Sequence, residues 1–411
     1  MCVARLQSRK VWGGNGLLPS WLLEKGLLDA LTGAQTGDLG DSWLNWIIFM
    51  IMIAVLNIYG SKLQVQMWMN QIARALGQLQ QLTREASDTF LREASKFGGD
   101  GGKVKKILQE AKGFFTISPV TLDPTGAIRR LENILDEAED SLNRLVERAA
   151  PRADSVKTAN LRDQLEGVII LAQIFRIVRH YYLLGRKTQN WIYIAQIQMQ
   201  LPEIMRIARA YWRSSTAFQK GVPVGDSIGP LVALRLIGDA PVEEAAKNVV
   251  AAEVELEDRK VIVVKAKGPG GEVGKPGEAI RRIVESRGGK VAKIIMIDAA
   301  TKLEGEPTGE VAEGSGAAIG DPGPEKWKIE EVASQYSIPV HSIVIKQDLL
   351  EAITPMAQEI AESVDKVIER VKRTIKEGTK PGDVVIVAGI GNTVGVGNTL
   401  RESEAKVVAV A

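Results

Sequence analysis

The sequence predicts a membrane-anchored protein built as a single transmembrane helix, an α-helical stalk and bundle, and then an α/β domain with a mostly parallel sheet. Three observations predict this. One uncharged apolar run fills residues 43–60, helix-period patterning extends from there to about Gly238, and beyond Pro241 apolar strand-like runs alternate with helices. At 411 residues and 45% hydrophobic content, the chain can form two buried cores as well as an apolar anchor.

Charge and composition narrow the function classes. The 52 Lys and Arg residues nearly balance 50 Asp and Glu, which argues against a nucleic-acid partner. The single cysteine, Cys2, excludes an intrachain disulfide, a Cys-based zinc cluster and an internal Cys nucleophile. His180 and His341 are far apart in sequence, so any metal chemistry falls to carboxylates.

The apolar run matches the hydrocarbon thickness as a helix, with Trp43 and Trp46 at one end and Tyr59 at the other, where amphipathic rings suit the headgroup level. Asp38 and Asp41 precede it and Lys62 follows, the reverse of a cleaved signal peptide. Asn45 and Asn57 keep open the alternative of a buried core helix. Lys62, Arg74 and Arg84 follow the run while no basic residue lies between Lys25 and it, so residues 1–42 are expected outside the cell membrane and the C-terminal bulk in the cytoplasm. A second apolar stretch, 168–185, contains Gln173, Arg176, Arg179 and His180 and reads as a soluble core helix.

Residues 61–102 read as a helical stalk. Val65, Trp68, Ile72, Ala75, Leu79, Leu82 and Ala86 recur at alternating three- and four-residue spacing, a seam that either pairs copies into a homo-oligomeric coiled coil or docks on the chain's own helices. Glycines at 98–102 then break the helix. Residues 103–240 form the helical domain: one helix starts at Asp123-Pro124 and ends before Pro151, another covers about 159–184, and a third, 190–217, carries Pro202, which is expected to kink or split it.

Residues 241–411 form the α/β domain. The runs at 260–266, 291–297, 340–345 and 384–388 read as near-continuous apolar strands, as parallel strands covered on both faces do. Met356, Ile360, Val364, Val367, Val371 and Ile375 mark one helix face, stopped by Gly378.

Glycine-rich loops follow these strands, at the carboxyl edge where open α/β sheets place ligands. In the first, Gly268, Gly270, Gly271, Gly274 and Gly277 surround Lys275 ahead of a helix start, so backbone N–H groups and an ammonium can face a phosphate. In the last, Gly389, Gly391, Gly395 and Gly397 accompany Asn392 and Thr393. Both are equally compatible with plain tight turns. The middle loop, 302–324, holds Glu304 and Glu306 after Asp298 at a strand end; these three are candidate Mg²⁺ ligands, and a solvated acidic loop is the alternative. Gly225-Asp226-Ser227-Ile228-Gly229-Pro230 reads as a domain-junction turn.

The segment 380–389 with its glycine-rich continuation resembles the end of the pyruvate kinase C-terminal domain, where such a loop helps bind effector phosphates; the rest of that enzyme's pattern, including its barrel active site, is absent. Over most of the chain, the anchor, Pro119–Pro124, Arg179-His180-Tyr181, the 223–230 segment, Lys302–Glu306 and Gly389–Thr393 together resemble an archaeal family of uncharacterised membrane-associated proteins. That resemblance implies a membrane location and no catalytic residues. The residues point first to a membrane-anchored sensor of a phosphorylated metabolite or nucleotide. Two rivals remain, a Mg-dependent enzyme acting on a phosphate compound and a membrane-bound oligomeric scaffold.

Overall fold

A computed structural model describes residues 42–117, 124–188, 190–320 and 323–402, with backbone alone at 42–45, 55–61 and 124–125. The expected external segment up to residue 41 lies outside the described residues, as do 118–123. The chain divides into two units, Met1–Met67 and Trp68–Ala411. A helical N-terminal region is followed by an α/β domain with a mixed sheet.

Helix α1 (Ser42–Lys96) contains the whole apolar run. In the first unit Trp46, Ile47, Ile48, Met50, Ile51, Met52 and Ile53 are exposed. In the second unit the seam docks on the chain's own bundle: Ile72, Leu79 and Phe90 are buried with Leu108 of α2 (Gly101–Ala111), Val146 of α3 (Pro124–Ala149), Leu165 and Leu171 of α4 (Ser155–Thr188) and Met205 of α5 (Trp191–Lys220). Asn190 caps α5 by accepting from the Ile192 N–H, and Gly221 ends it in the left-handed conformation that glycine permits. Pro202 neither breaks nor divides α5.

Among the described residues one helix, α4, is long and apolar enough to cross a membrane, by length and composition only. Its central residues Leu161, Leu165, Val168 and Leu171 are buried in the bundle core.

After a single 3-10 turn (Gly225–Ser227), α6 (Ile228–Ile237) opens the α/β part. The composition shift at Pro241 leaves this helix with the helical domain, but Ile228, Val232 and Leu234 pack on the sheet. The strands are β1 (Glu243–Ala246), β2 (Val249–Leu256), β3 (Arg259–Ala266), β4 (Lys293–Thr301), β5 (Val311–Ser315), β6 (Val340–Gln347) and β7 (Val384–Gly389), in the order β1-β2-β3-β7-β4-β6-β5. Only β3, β7, β4 and β6 are parallel, so the sheet is mixed rather than mostly parallel. The reason is local. β2 and β3 are joined by Glu257 and Asp258, both with positive φ (55° and 59°), and a two-residue link of this kind can only make a hairpin.

The central strands are buried on both faces, which explains their near-continuous apolar runs. Val263, Ile295 and Val387 face α6 and α11 (Ser363–Gly378), while Val264, Ile294 and Ile386 face α7 (Pro276–Ser286) and α8 (Pro324–Gln335). The short helices α9 (Leu349–Ile353) and α10 (Gln358–Ala361) precede α11.

Candidate functional site

The first and last glycine loops meet, and α4 and α5 of the bundle close over them. Thr393 is fully buried; its hydroxyl donates among the carbonyls of Gly270 (2.8 Å), Lys267 (3.1 Å) and Glu272 (3.0 Å), and its N–H donates to the Glu272 carbonyl at 2.9 Å. Asn398 clamps the other end, accepting from the Gly268 N–H at 2.9 Å and donating to the Gly268 carbonyl at 3.0 Å. The glycines allow close approach, Gly268 to the other loop and three more to neighbouring elements: a Cβ on Gly268, Gly277, Gly389 or Gly391 would overlap the carbonyl oxygen of Val396, Glu325, Gly229 or Asp226. Gly270 packs on α4 at Val156 and Ala159, Gly274 lies over the Asn248 carbonyl, and Gly395 and Gly397 are buried in the last loop. Thr393 and Gly268 therefore hold loop to loop, and Gly270, Gly389, Gly277 and Gly391 seat the two loops on α4, α6, α8 and the 3-10 turn.

Between the loops and the bundle lies a cavity of about 340 Å³. Glu139 of α3, Asp163 and Glu166 of α4, and Glu272 of the first loop line it with Arg162, Lys247, Lys275 and Asn392; Tyr211 and Phe218 of α5 add aromatic surface. Arg162 is the buried keystone. Its guanidinium donates to the Gly271 carbonyl at 2.6 Å and contacts Glu139 and Glu272 at 3.4 Å and Asp163 at 3.5 Å. Spacings of three and four residues set Arg162, Asp163 and Glu166 on one side of α4.

The cations are matched. Lys275, the expected phosphate ligand, turns instead to Asp136 (2.7 Å) and Glu132 (3.1 Å) of α3, and Lys247 reaches Asp140 at 3.4 Å. The carboxylates are less well served. Burial pushes Asp163 up to about 8, with nearby Glu166 adding to the shift, against Arg162 and an Asn392 Nδ2 hydrogen bond of 3.0 Å. Burial also raises Glu166, which forms no hydrogen bond among the described residues. Protein mass surrounds Glu166, yet its side chain is exposed along the cavity wall, so it stays available to a ligand. Asn392 links this cluster to the sheet edge, its N–H donating to Asp226 at 2.7 Å. Burial raises Asp226, and burial with the neighbouring Asp226 charge raises Asp298 well above its ordinary range.

The proposed Mg²⁺ ligands are not gathered. Asp298 is buried, accepting from Ala299 N–H at 2.7 Å and Gly320 N–H at 3.2 Å, while Glu306 pairs with Lys346 at 2.6 Å and Glu304 lies in the turn before it. Among the described residues no three His, Cys, Asp or Glu side chains come together to hold a metal ion. The middle loop forms β5, whose Glu313 binds Arg370 at 2.9 Å, Arg373 and His341 at 3.2 Å.

Residues 46–221 match the N-terminal domain of DUF1512, a protein of unknown function, and residues 224–397 match the DUF1512 C-terminal domain of unknown function. The chain belongs to the DUF1512 family. No curated protein matches it. The boundary between the two DUF1512 domains falls just before the 3-10 turn at Gly225, where α6 begins to pack on the sheet.

Sequence reasoning missed Arg162, Asp163 and Glu166, because charges on a helix read as its solvated face. It also missed Lys265, which is fully buried on β3 and held down to about 7 by burial; its ammonium donates to the Ala266 carbonyl at 2.8 Å and Asn398 at 3.3 Å. A lysine inside the otherwise apolar run 261–266 was a readable signal.

Proposed function

We propose that the chain is a membrane-anchored protein that binds a small ligand in the cavity between its helical domain and its α/β domain, and that this ligand carries a cationic amine. One observation carries the reading. Every cation on the cavity wall already faces carboxylates, whereas Glu166 has no hydrogen-bond donor among the described residues and Asp163 is kept close to neutral by burial. A bound ammonium would relieve both, and Tyr211 and Phe218 offer aromatic faces to it. A phosphate or nucleotide, the alternative, would have to displace Glu132 and Asp136 from Lys275. Because the walls come from α3, α4, α5 and both glycine loops, occupancy would tie the two domains together and suits a sensing role.

Membrane anchorage through residues 43–60 is supported by the uncharged run and by the exposed apolar side chains from Trp46 to Ile53. The basic residues Lys62, Arg74 and Arg84 after the run favour a cytoplasmic α/β domain.

A thermal-shift panel on the full detergent-solubilised chain tests the ligand class, using linear diamines, nucleotides and sugar phosphates. A ligand at a hundredfold its Kd adds about 2.7 kcal/mol to stability. Diamines are expected to raise Tm by a few degrees in the wild type and not in Glu166→Gln. A rise with phosphate compounds only, or one that Glu166→Gln leaves intact, would overturn the assignment.

A further inference from the structure

The α4–α5 hairpin carries a surface that neither the bundle core nor the cavity uses. From Gly167 to Pro202 the sequence contains no Asp or Glu, but it contains Arg176, Arg179, Arg186 and Lys187. Around the turn Ile177, Tyr181, Leu183, Trp191, Ile192 and Met199 are exposed, Met199 at 74% and Trp191 at 58%. Arg176 donates to the Lys112 carbonyl at 2.7 Å, while Arg179, Arg186 and Lys187 make no ion pair among the described residues. At this tip three cations stand beside exposed rings and aliphatic chains with no acid to meet them.

Two cross-links fix where this tip lies within the second unit. Gln198 donates to Gln71, and Gln219 donates to Glu93 at 3.2 Å. Within the second unit, α1 and α5 therefore run side by side in the same direction, and the α4–α5 turn lies at the end of the bundle nearer Gln71 than Glu93. Tyr181 and Tyr193 approach each other there with ring centroids 6.5 Å apart.

We infer that the α4–α5 tip docks on an anionic lipid surface, with Leu183, Trp191 and Ile192 entering the headgroup boundary and Arg179, Arg186 and Lys187 meeting the lipid charge. The occupant is chosen by chemistry. An acid-free surface combining cations, a tryptophan, tyrosines and aliphatic chains complements an anionic interface, where aromatic rings settle at headgroup depth and each nearby cation strengthens attachment. The tip shares with the anchor reading only the bilayer, and the two can fail separately.

The experiment uses the full chain with Cys2→Ser and a fluorophore on Ile192→Cys, or on Glu377→Cys of α11 as a control. Each is reconstituted in vesicles of zwitterionic lipid, with and without added phosphatidylglycerol, and read with a lipid-borne quencher and with aqueous acrylamide. The label at 192 is expected to be quenched from the lipid in phosphatidylglycerol vesicles, and the label at 377 from water. Arg179→Glu, Arg186→Glu and Lys187→Glu together should cut lipid quenching at 192 by about tenfold or more. Quenching of 192 from water alone, as at 377, or its protection from both quenchers by a second copy or another protein, overturns the inference. Co-flotation of the triple variant reads the anchor independently: the chain still floating while 192 is quenched only from water defeats the tip alone, and lipid quenching at 192 in a chain that salt strips from the vesicles defeats the anchor alone.

Discussion

In the loop at 302–320, a Cβ added at Gly305, Gly314, Gly316 or Gly320 would meet nothing within 4 Å and Gly309 alone would overlap backbone, at the Glu359 carbonyl, whereas at Gly268, Gly271, Gly277, Gly389 or Gly391 it would collide with backbone or with the Asp163 carboxylate. All three loops are rich in glycine. What separates them is the partner: the outer two press against each other and against α4, and the middle one forms the edge strand β5. Glycine in the first pair allows close packing that shapes a cavity. Free amides for a phosphate are not its main contribution, since Thr393, Asn398 and the loop carbonyls already pair most of the polar groups there.

The strongest test of this contrast is Arg162→Met. It leaves Asp163, Glu139 and Glu272 without their shared buried cation, so it is expected to cost about 3–5 kcal/mol in chemical denaturation. Gly391→Ala comes next, at about 3 kcal/mol, from overlap with the Asp226 carbonyl at a φ of 131°, and Gly271→Ala follows at about 1–2 kcal/mol, because the Asp163 carboxylate that it meets must turn aside. A cost below about 1 kcal/mol at both positions would mean the loops are not held as described.

Asp163→Asn sharpens the electrostatic half. The folded-state pKa of Asp163, about 8, lies above its unfolded value, so the native state holds a proton that the unfolded chain releases between roughly pH 4 and 8. The stability from this group is complete below the unfolded pKa and lost as pH rises through about 8. Asp226, Glu166 and Asp298 are raised too and act in the same direction. Stability measured from pH 5 to 8 should therefore fall with pH, and Asp163→Asn should flatten the fall by up to about 1.4 kcal/mol per pH unit. Lys275→Met removes partly exposed ion pairs and should cost about 1 kcal/mol or less. Gly314→Ala should change stability by no more than about 0.5 kcal/mol in either direction.

Much of the fold was legible in the sequence because the physics behind it is periodic. The runs at 260–266, 291–297, 340–345 and 384–388 fall within β3, β4, β6 and β7 apart from Val291 and Ala292, which precede β4, since burial on both faces demands near-continuous apolar runs. The antiparallel strands were not legible. β1 is only Glu243-Glu244-Ala245-Ala246, β2 alternates acidic and apolar residues just from Ala252 to Leu256, and β5 hides among glycines and glutamates, where composition resembles an open loop. The seam from Trp68 to Ala86 gave its spacing and withheld its partner, because a helix stripe has the same period whether it meets another copy or its own bundle. At the site, loop 268–277 and Asn392 were found from their place after strands. The carboxylates of α4 were not, because the covering helices come together with those loops only in three dimensions.

The most direct test of the central claim is calorimetric titration of the full chain with a linear diamine at pH 7, repeated in buffers of different ionisation heat to count protons. A cation seated beside Asp163 and Glu166 lowers their proton affinity, so binding is expected to release protons, and the release should shrink in Asp163→Asn. Absence of diamine binding, or binding with no proton release, would contradict the claim, and binding of a sugar phosphate with proton uptake at the same site would replace it.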